Sequence, residues 1–219
     1  MSLQYGFFHA ISGYFSFPYR TDHIYEFLQF LSGHATINNL SFYNTKPSEL
    51  TYDDLMHFPP EEKKVRGIDF EDFNTSSFAH AEIAFNAGSF GRLNVNFWDA
   101  KSYSILLLLS QDDIDAGMID AAFLNELTVA FFSMLQPAFG HAGMENAVGG
   151  FEAMKDGSEY LPVKNSYLCK KLYQKISALQ IGAIQANNIP ARSLGNVGTL
   201  LTPEEHQDLN FYDLIRDFL

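Results

Sequence analysis

The sequence predicts an α+β fold, a mainly antiparallel sheet packed against several helices. Residues 78–97 alternate apolar and polar side chains about a glycine turn, residues 104–109 are continuously apolar, and helical periodicity appears around residues 24–31 and beyond residue 116. Strands joined by a hairpin pair antiparallel, and helices mixed among them complete the class.

The elements follow in chain order. Tyr5 to Phe17 is dense in aromatics and reads as a strand broken by Pro18. A helix follows, with Thr21 as expected cap, Ile24, Phe27, Leu28 and Leu31 at i, i+3, i+4 and i+7, and Gly33 as expected left-handed terminator. Ile37 to Tyr43 is a second strand, and Thr51-Tyr52-Asp53-Asp54 starts a short helix that Pro59-Pro60 ends. Ala79, Ala81, Ile83 and Phe85 alternate with His80, Glu82 and Asn86, and Leu93, Val95 and Phe97 alternate with Arg92, Asn94 and Asn96. With Gly88-Ser89-Phe90-Gly91 between them, these segments form a hairpin. Ser104 to Leu109 reads as a central strand buried on both faces, completing a meander.

A long helix is expected from near Ala116 to Gln136, with Ile119, Phe123, Leu127, Ala130, Phe131 and Met134 buried and Pro137 at its end. Gly140 to Gly157 reads as a loop with one helical turn. Ser166 is expected to cap a helix carrying Leu168, Leu172, Ile176 and Leu179. Leu194 to Leu201 reads as a turn feeding a short strand, and a final helix uses Phe211, Leu214, Ile215 and Phe218 after an Asn210 to Asp213 start. Without an internal repeat or Pro/Ser linker, the 219 residues are read as one domain, with a subdivision point near 140–157.

Composition bounds the chemistry. Hydrophobic residues make up 47% of the chain, enough for a substantial core, and 21 Phe and 11 Tyr accompany one Trp. Cys169 is the only cysteine, which rules out an internal disulfide and Cys-rich zinc sites and fits a reducing compartment. The N-terminus lacks a signal-peptide pattern, and no apolar run approaches the roughly 20 residues that span a bilayer. The expectation is a soluble, cytoplasmic protein without membrane attachment.

Charge is distributed unevenly. Lys46 to Glu159 holds 19 acidic and 7 basic residues, a balance of −12 that equals the net charge of the whole chain. Tyr160 to Pro203 has no acid and carries Lys164, Lys170, Lys171, Lys175 and Arg192. Such asymmetry selects partners by sign, and the acidic excess argues against general binding to nucleic acid. Glu61, Glu62, Asp69, Glu71 and Asp72 interleave with Ile68, Phe70 and Phe73, a mimic of an anionic surface with apolar anchors or, equally, a solvated edge. Trp98, beside Asp99, is a candidate partner-binding anchor or a packed strand end.

Catalytic signatures are weak by comparison. His80-Ala81-Glu82 matches the His-x-Glu half of zinc nucleobase deaminases, but the Pro-Cys-x-x-Cys half is missing and the motif lies in a strand. On a strand His80 and Glu82 share a face and could act as base and orienter, or stand as solvated polar groups. The seven histidines show no zincin spacing, Cys169 before Lys170 and Lys171 reads as a bystander thiol, and the glycine pairs match no phosphate loop. No cofactor and no metal are expected.

The Asn94-Val95-Asn96-Phe97-Trp98-Asp99 strand end, the long helix after it, and Ala191-Arg192-Ser193-Leu194-Gly195-Asn196-Val197-Gly198-Thr199-Leu200-Leu201-Thr202-Pro203 together resemble α/β immunity proteins of bacterial polymorphic-toxin systems. The resemblance covers about half the chain. It implies a cytoplasmic antidote that occludes a cognate toxin and carries no catalytic residues. The residues and the resemblance together favour a non-enzymatic acidic protein that binds a basic protein partner. Two rivals stay open: a hydrolase or transferase gathering His80, Glu82 and Asp99, and an intracellular small-ligand-binding domain with an aromatic pocket.

Overall fold

The computed structural model describes residues 8–16, 20–44, 62–65, 78–86, 88–97, 102–144, 165–176, 190–202 and 210–215. Its strands are β1 (Phe8–Ser16), β2 (Ile37–Asn44), β3 (Glu62–Val65), β4 (Phe78–Phe85), β5 (Phe90–Phe97), β6 (Ser102–Ser110), β7 (Phe139–Met144), β8 (Ser166–Cys169), β9 (Ala191–Ser193) and β10 (Gly198–Leu201). They form one ten-stranded sheet in the order β3-β2-β4-β5-β6-β1-β7-β8-β10-β9. Every pairing is antiparallel. The helices are α1 (Thr21–Gly33), α2 (Gln111–Asp115), α3 (Ala121–Leu135), α4 (170–176) and α5 (Phe211–Ile215). The class is α+β, and β4-β5-β6 is the meander that the alternation predicts.

Directly opposed residues of an antiparallel pair share a face, so the register sorts the sheet into two sides. Ile11, Leu107, Leu93 and Ala81 form one row of the first side. They join one buried cluster with Ile24, Phe27, Leu28 and Leu31 of α1 and Phe123, Leu127 and Phe131 of α3. Tyr14, Phe139 and Leu168 lie on the opposite side and pack with Leu172 and Ile176 of α4 and Phe211 and Ile215 of α5. Helices thus cover both faces, each burying Phe and Leu side chains worth about 1.5–3 kcal/mol apiece.

Five local expectations are corrected. Helix α1 has Arg20 rather than Thr21 at its N-cap, without a side-chain cap; the Arg20 N–H donates instead to the Tyr103 hydroxyl at 3.2 Å. It ends on an extended His34, not on a left-handed Gly33, because the chain turns straight into β2 while the His34 ring packs 4.5 Å from Phe123. The long helix expected from Ala116 to Gln136 starts later, at Ala121, and a separate short helix, α2, precedes the expected span. Gly117, at φ +73°, stops α2, and Asp120 caps α3 by accepting from the Phe123 N–H at 2.8 Å. Gln136, left-handed at φ 52°, closes α3 before Pro137.

The other two corrections concern the second half of the sheet. Gly140 to Met144 is strand β7, between β1 and β8, rather than loop. A Cβ at Gly140 would sit 2.5 Å from both Phe132 Cε1 and the Ser12 carbonyl, so glycine here admits the close approach of α3 rather than a turn. Ser166 begins a strand and caps no helix; Tyr167 stacks on Phe132 from one face at 4.9 Å while Leu168 packs on the other, the alternation of a strand. The expected helix at Thr51 to Pro60 lies outside the described residues.

Candidate functional site: an acidic shoulder with exposed apolar anchors

Most of the residues singled out from the sequence lie outside the described ones: Glu61, Asp69, Phe70, Glu71, Asp72, Phe73, Trp98 and Asp99. Glu62 opens the edge strand β3 opposite Tyr43. His80 sits on β4 opposite Tyr43 and Asn94. Glu82 lies two residues along the strand and pairs with Arg92 of β5 at 3.4 Å, both side chains being more than two-fifths exposed. A pair so exposed contributes at most about 1 kcal/mol, so this is a solvated sheet face at Glu82. Cys169 ends β8 half-buried, its N–H donating to the Ala138 carbonyl at 3.0 Å. Among the described residues no three His, Cys, Asp or Glu side chains gather as a metal site would require. None of the described helices is long and apolar enough to cross a membrane.

Where the acidic excess can be followed onto structure, it concentrates at one end of the sheet. Ser102 to Met144 holds Asp112, Asp113, Asp115, Asp120 and Glu126 and no Lys or Arg. The acids fall on α2, its following turn and the first half of α3. Asp112, Asp115, Asp120 and Glu126 are exposed. Ser110 caps α2 by accepting from the Asp113 N–H at 3.2 Å, and placing acids in that first turn is favourable because the helix N-terminus is positive. The Asp113 carboxylate accepts a hydrogen bond from the Ser89 hydroxyl, which ties the β4–β5 turn to α2. The His34 imidazole reaches Glu126 at 3.4 Å and joins the end of α1 to the same surface. On the far side Arg192 of β9 donates to Asn125 at 3.4 Å and bounds the acidic area with a cation.

The exposed large hydrophobic residues among those described converge on the same end. They are Phe8 at 38%, Phe90 at 51% and Met118 at 44%. Phe8 pairs with Ser110, the α2 cap. Phe90 directly follows Ser89 and stands one residue beyond the Gly91–Leu109 pair, on the other flank of Ser110. Met118 donates its N–H to the Asp113 carbonyl at 2.9 Å. Three apolar side chains in water around one short acidic helix differ from the scattered exposed Leu or Phe of an ordinary surface. Sequence reasoning placed the anchors at Phe70, Phe73 and Trp98 and missed these. Phe90 falls in a segment read as turn, and Met118 in one read as continuous helix, where an apolar residue suggests core.

A second polar feature lies inside the molecule. His141 of β7 is opposite Ser12 of β1 and Ser166 of β8, and all three are fully buried. The Ser12 hydroxyl donates to the His141 carbonyl at 3.4 Å. Both His141 ring nitrogens and the Ser166 and Ser104 hydroxyls find no hydrogen-bond partner among the described residues. Burial, and secondarily the charge of His9, pull the His141 pKa down to about 3, so the ring is neutral at physiological pH. Buried polar groups left so cost about 1–3 kcal/mol each. The signal for this centre was in the sequence as Gly140-His141-Ala142-Gly143, a histidine between glycines, masked by the reading of that stretch as loop.

No protein-family model and no curated protein matches the chain. Among solved structures it is similar to one described as Pseudomonas aeruginosa T6SS protein PA0821, with a TM-score of 0.45, 10% identity, and coverage of 96% of this chain and 72% of that one. A likeness this distant bears on neither activity nor partner.

Proposed function

We propose that the protein is a non-enzymatic binding protein that recognises a basic protein surface through its acidic side. One observation carries the reading: five acids without a single Lys or Arg between Ser102 and Met144, at the same end of the sheet as the exposed Phe90, Met118 and Phe8. Charge of one sign steers encounter, and apolar anchors beside it hold the complex once formed. Glu61, Glu62, Asp69, Glu71 and Asp72, with Phe70, Phe73 and Trp98, belong to the proposal through their charge and aromatic character. The finer reading, an immunity-type inhibitor that occludes a cognate toxin in the cytoplasm, draws on the sequence resemblance and on this charge.

Differential capture tests the reading. Immobilised wild type and the double variant Asp112→Lys/Asp115→Lys, both folded by circular dichroism, are exposed to the same lysate of the source cell at low and high salt. A basic protein retained by wild type at low salt, weakened at high salt and missing from the variant supports the proposal. Identical sets on both surfaces overturn it. If the retained protein is a toxin whose activity falls on binding, the finer reading stands; retention without inhibition removes it.

A further inference from the structure

The row Leu106–Ser12–His141–Ser166–Leu201 runs straight across β6, β1, β7, β8 and β10. Its polar centre is fenced by apolar residues on the same face. Leu106 and Leu201 close the row, and Phe139 and Leu168 stand two residues along their strands from His141 and Ser166. On the other flank Ala10 pairs with Gly143, two buried residues with next to no side chain. Ser12 and Ser166 flank the ring from neighbouring strands, about 10 Å from each other. Ser104, opposite Tyr14, adds a hydroxyl one row away.

Three polar atoms here, Nδ1 and Nε2 of His141 and the hydroxyl oxygen of Ser166, are buried without a partner among the described residues; the Ser104 hydroxyl, two strands away from His141, is a further such atom outside the row. Native proteins rarely leave such atoms bare; they are met by protein groups or by an enclosed molecule. We propose that the Ser12–His141–Ser166 row is an internal site for a small neutral molecule that both donates and accepts hydrogen bonds, of which water is the smallest. The groups dictate that chemistry. A neutral imidazole presents one donor and one acceptor, and each hydroxyl can act as either. Among the described residues no Lys, Arg, Asp or Glu stands in the row or on its flanks, so these residues offer no compensation to a charged guest.

The wild-type protein in a crystal diffracting to about 1.5 Å, with native mass spectrometry on the same sample, tests the site. Density about 2.6–3.2 Å from a His141 ring nitrogen and from the Ser166 hydroxyl is expected. An unshifted mass assigns it to water, and an added neutral mass assigns it to a small organic molecule. A dry row, a ring bonded directly to protein groups, or a charged guest overturns the proposal. Ser166→Ala gives an independent readout whose sign decides. In an occupied row the alanine loses a hydrogen bond, and Tm falls by roughly 2–4 °C. In a dry row it removes an orphaned hydroxyl, so an unchanged or raised Tm contradicts an enclosed guest.

Discussion

Phe90 and Met118 are half in water, and the fold needs neither side chain for its core. Substituting each by alanine should therefore change unfolding free energy by no more than about 0.5 kcal/mol, measured by urea titration. If they anchor a partner, the same substitutions should speed its dissociation at least several-fold in surface-capture kinetics while leaving association nearly unaltered. His141 behaves in the opposite way, since it is fully enclosed and its partner-facing role is nil. Its folded pKa of about 3 lies below the ordinary value of 6.5, so the folded state resists a proton that the unfolded chain accepts. The stability this provides is complete above about pH 6.5 and is lost as pH falls toward 3. At pH 5 the loss is on the order of 2 kcal/mol. Urea titrations at pH 7 and pH 5 on wild type and His141→Gln would measure it; an equal pH dependence in the two proteins would remove His141 as its source.

At the scale of elements, the sequence declares periodicity and conceals distance. The α1 stripe of Ile24, Phe27, Leu28 and Leu31 and the β5 alternation of Leu93 and Val95 were legible because local spacing alone encodes them. The position of β1 between β6 and β7 was not, because pairing across more than eighty residues leaves no local trace. Gly140 misled for a related reason. Its meaning is the contact with Phe132 and the Ser12 carbonyl, two partners remote in sequence, and without them a glycine-rich stretch reads as loop. Gly140→Ala should accordingly destabilise the fold by several kcal/mol, since backbone lies within the clash. Asp120→Ala removes the α3 cap and should cost about 1 kcal/mol, with Asp120→Asn restoring most of it. Thermal melts of the three variants check both expectations; a Gly140→Ala protein as stable as wild type would refute the close approach of α3 to β7.

Across the whole molecule, helices α1 and α3 cover one face of the sheet, α4 and α5 pack on part of the other, and the acidic shoulder caps the end where β1 begins and β6 finishes. Of the candidate site, the acidic excess was legible in the sequence as composition, whereas the placing of Asp113 and Met118 beside Ser89 and Phe90 depended on the turn at Gly117 and the Ser89–Asp113 bond; Glu61, Asp69 to Phe73 and Trp98 lie outside the described residues. Among the described residues, acids gathered at one end with Arg192 at the boundary make that end a negatively charged surface. The measurement that reaches the central claim most directly is the association rate of a captured basic partner with wild type and with Asp112→Lys/Asp115→Lys, followed by stopped flow across a salt series. The account predicts a wild-type rate that falls steeply as the Debye length shrinks from about 30 Å at 0.01 M to about 10 Å at 0.1 M. It also predicts a variant rate about tenfold slower at low salt, with the two converging at high salt. Equal rates for both proteins, or a wild-type rate independent of salt, would contradict recognition through the acidic shoulder.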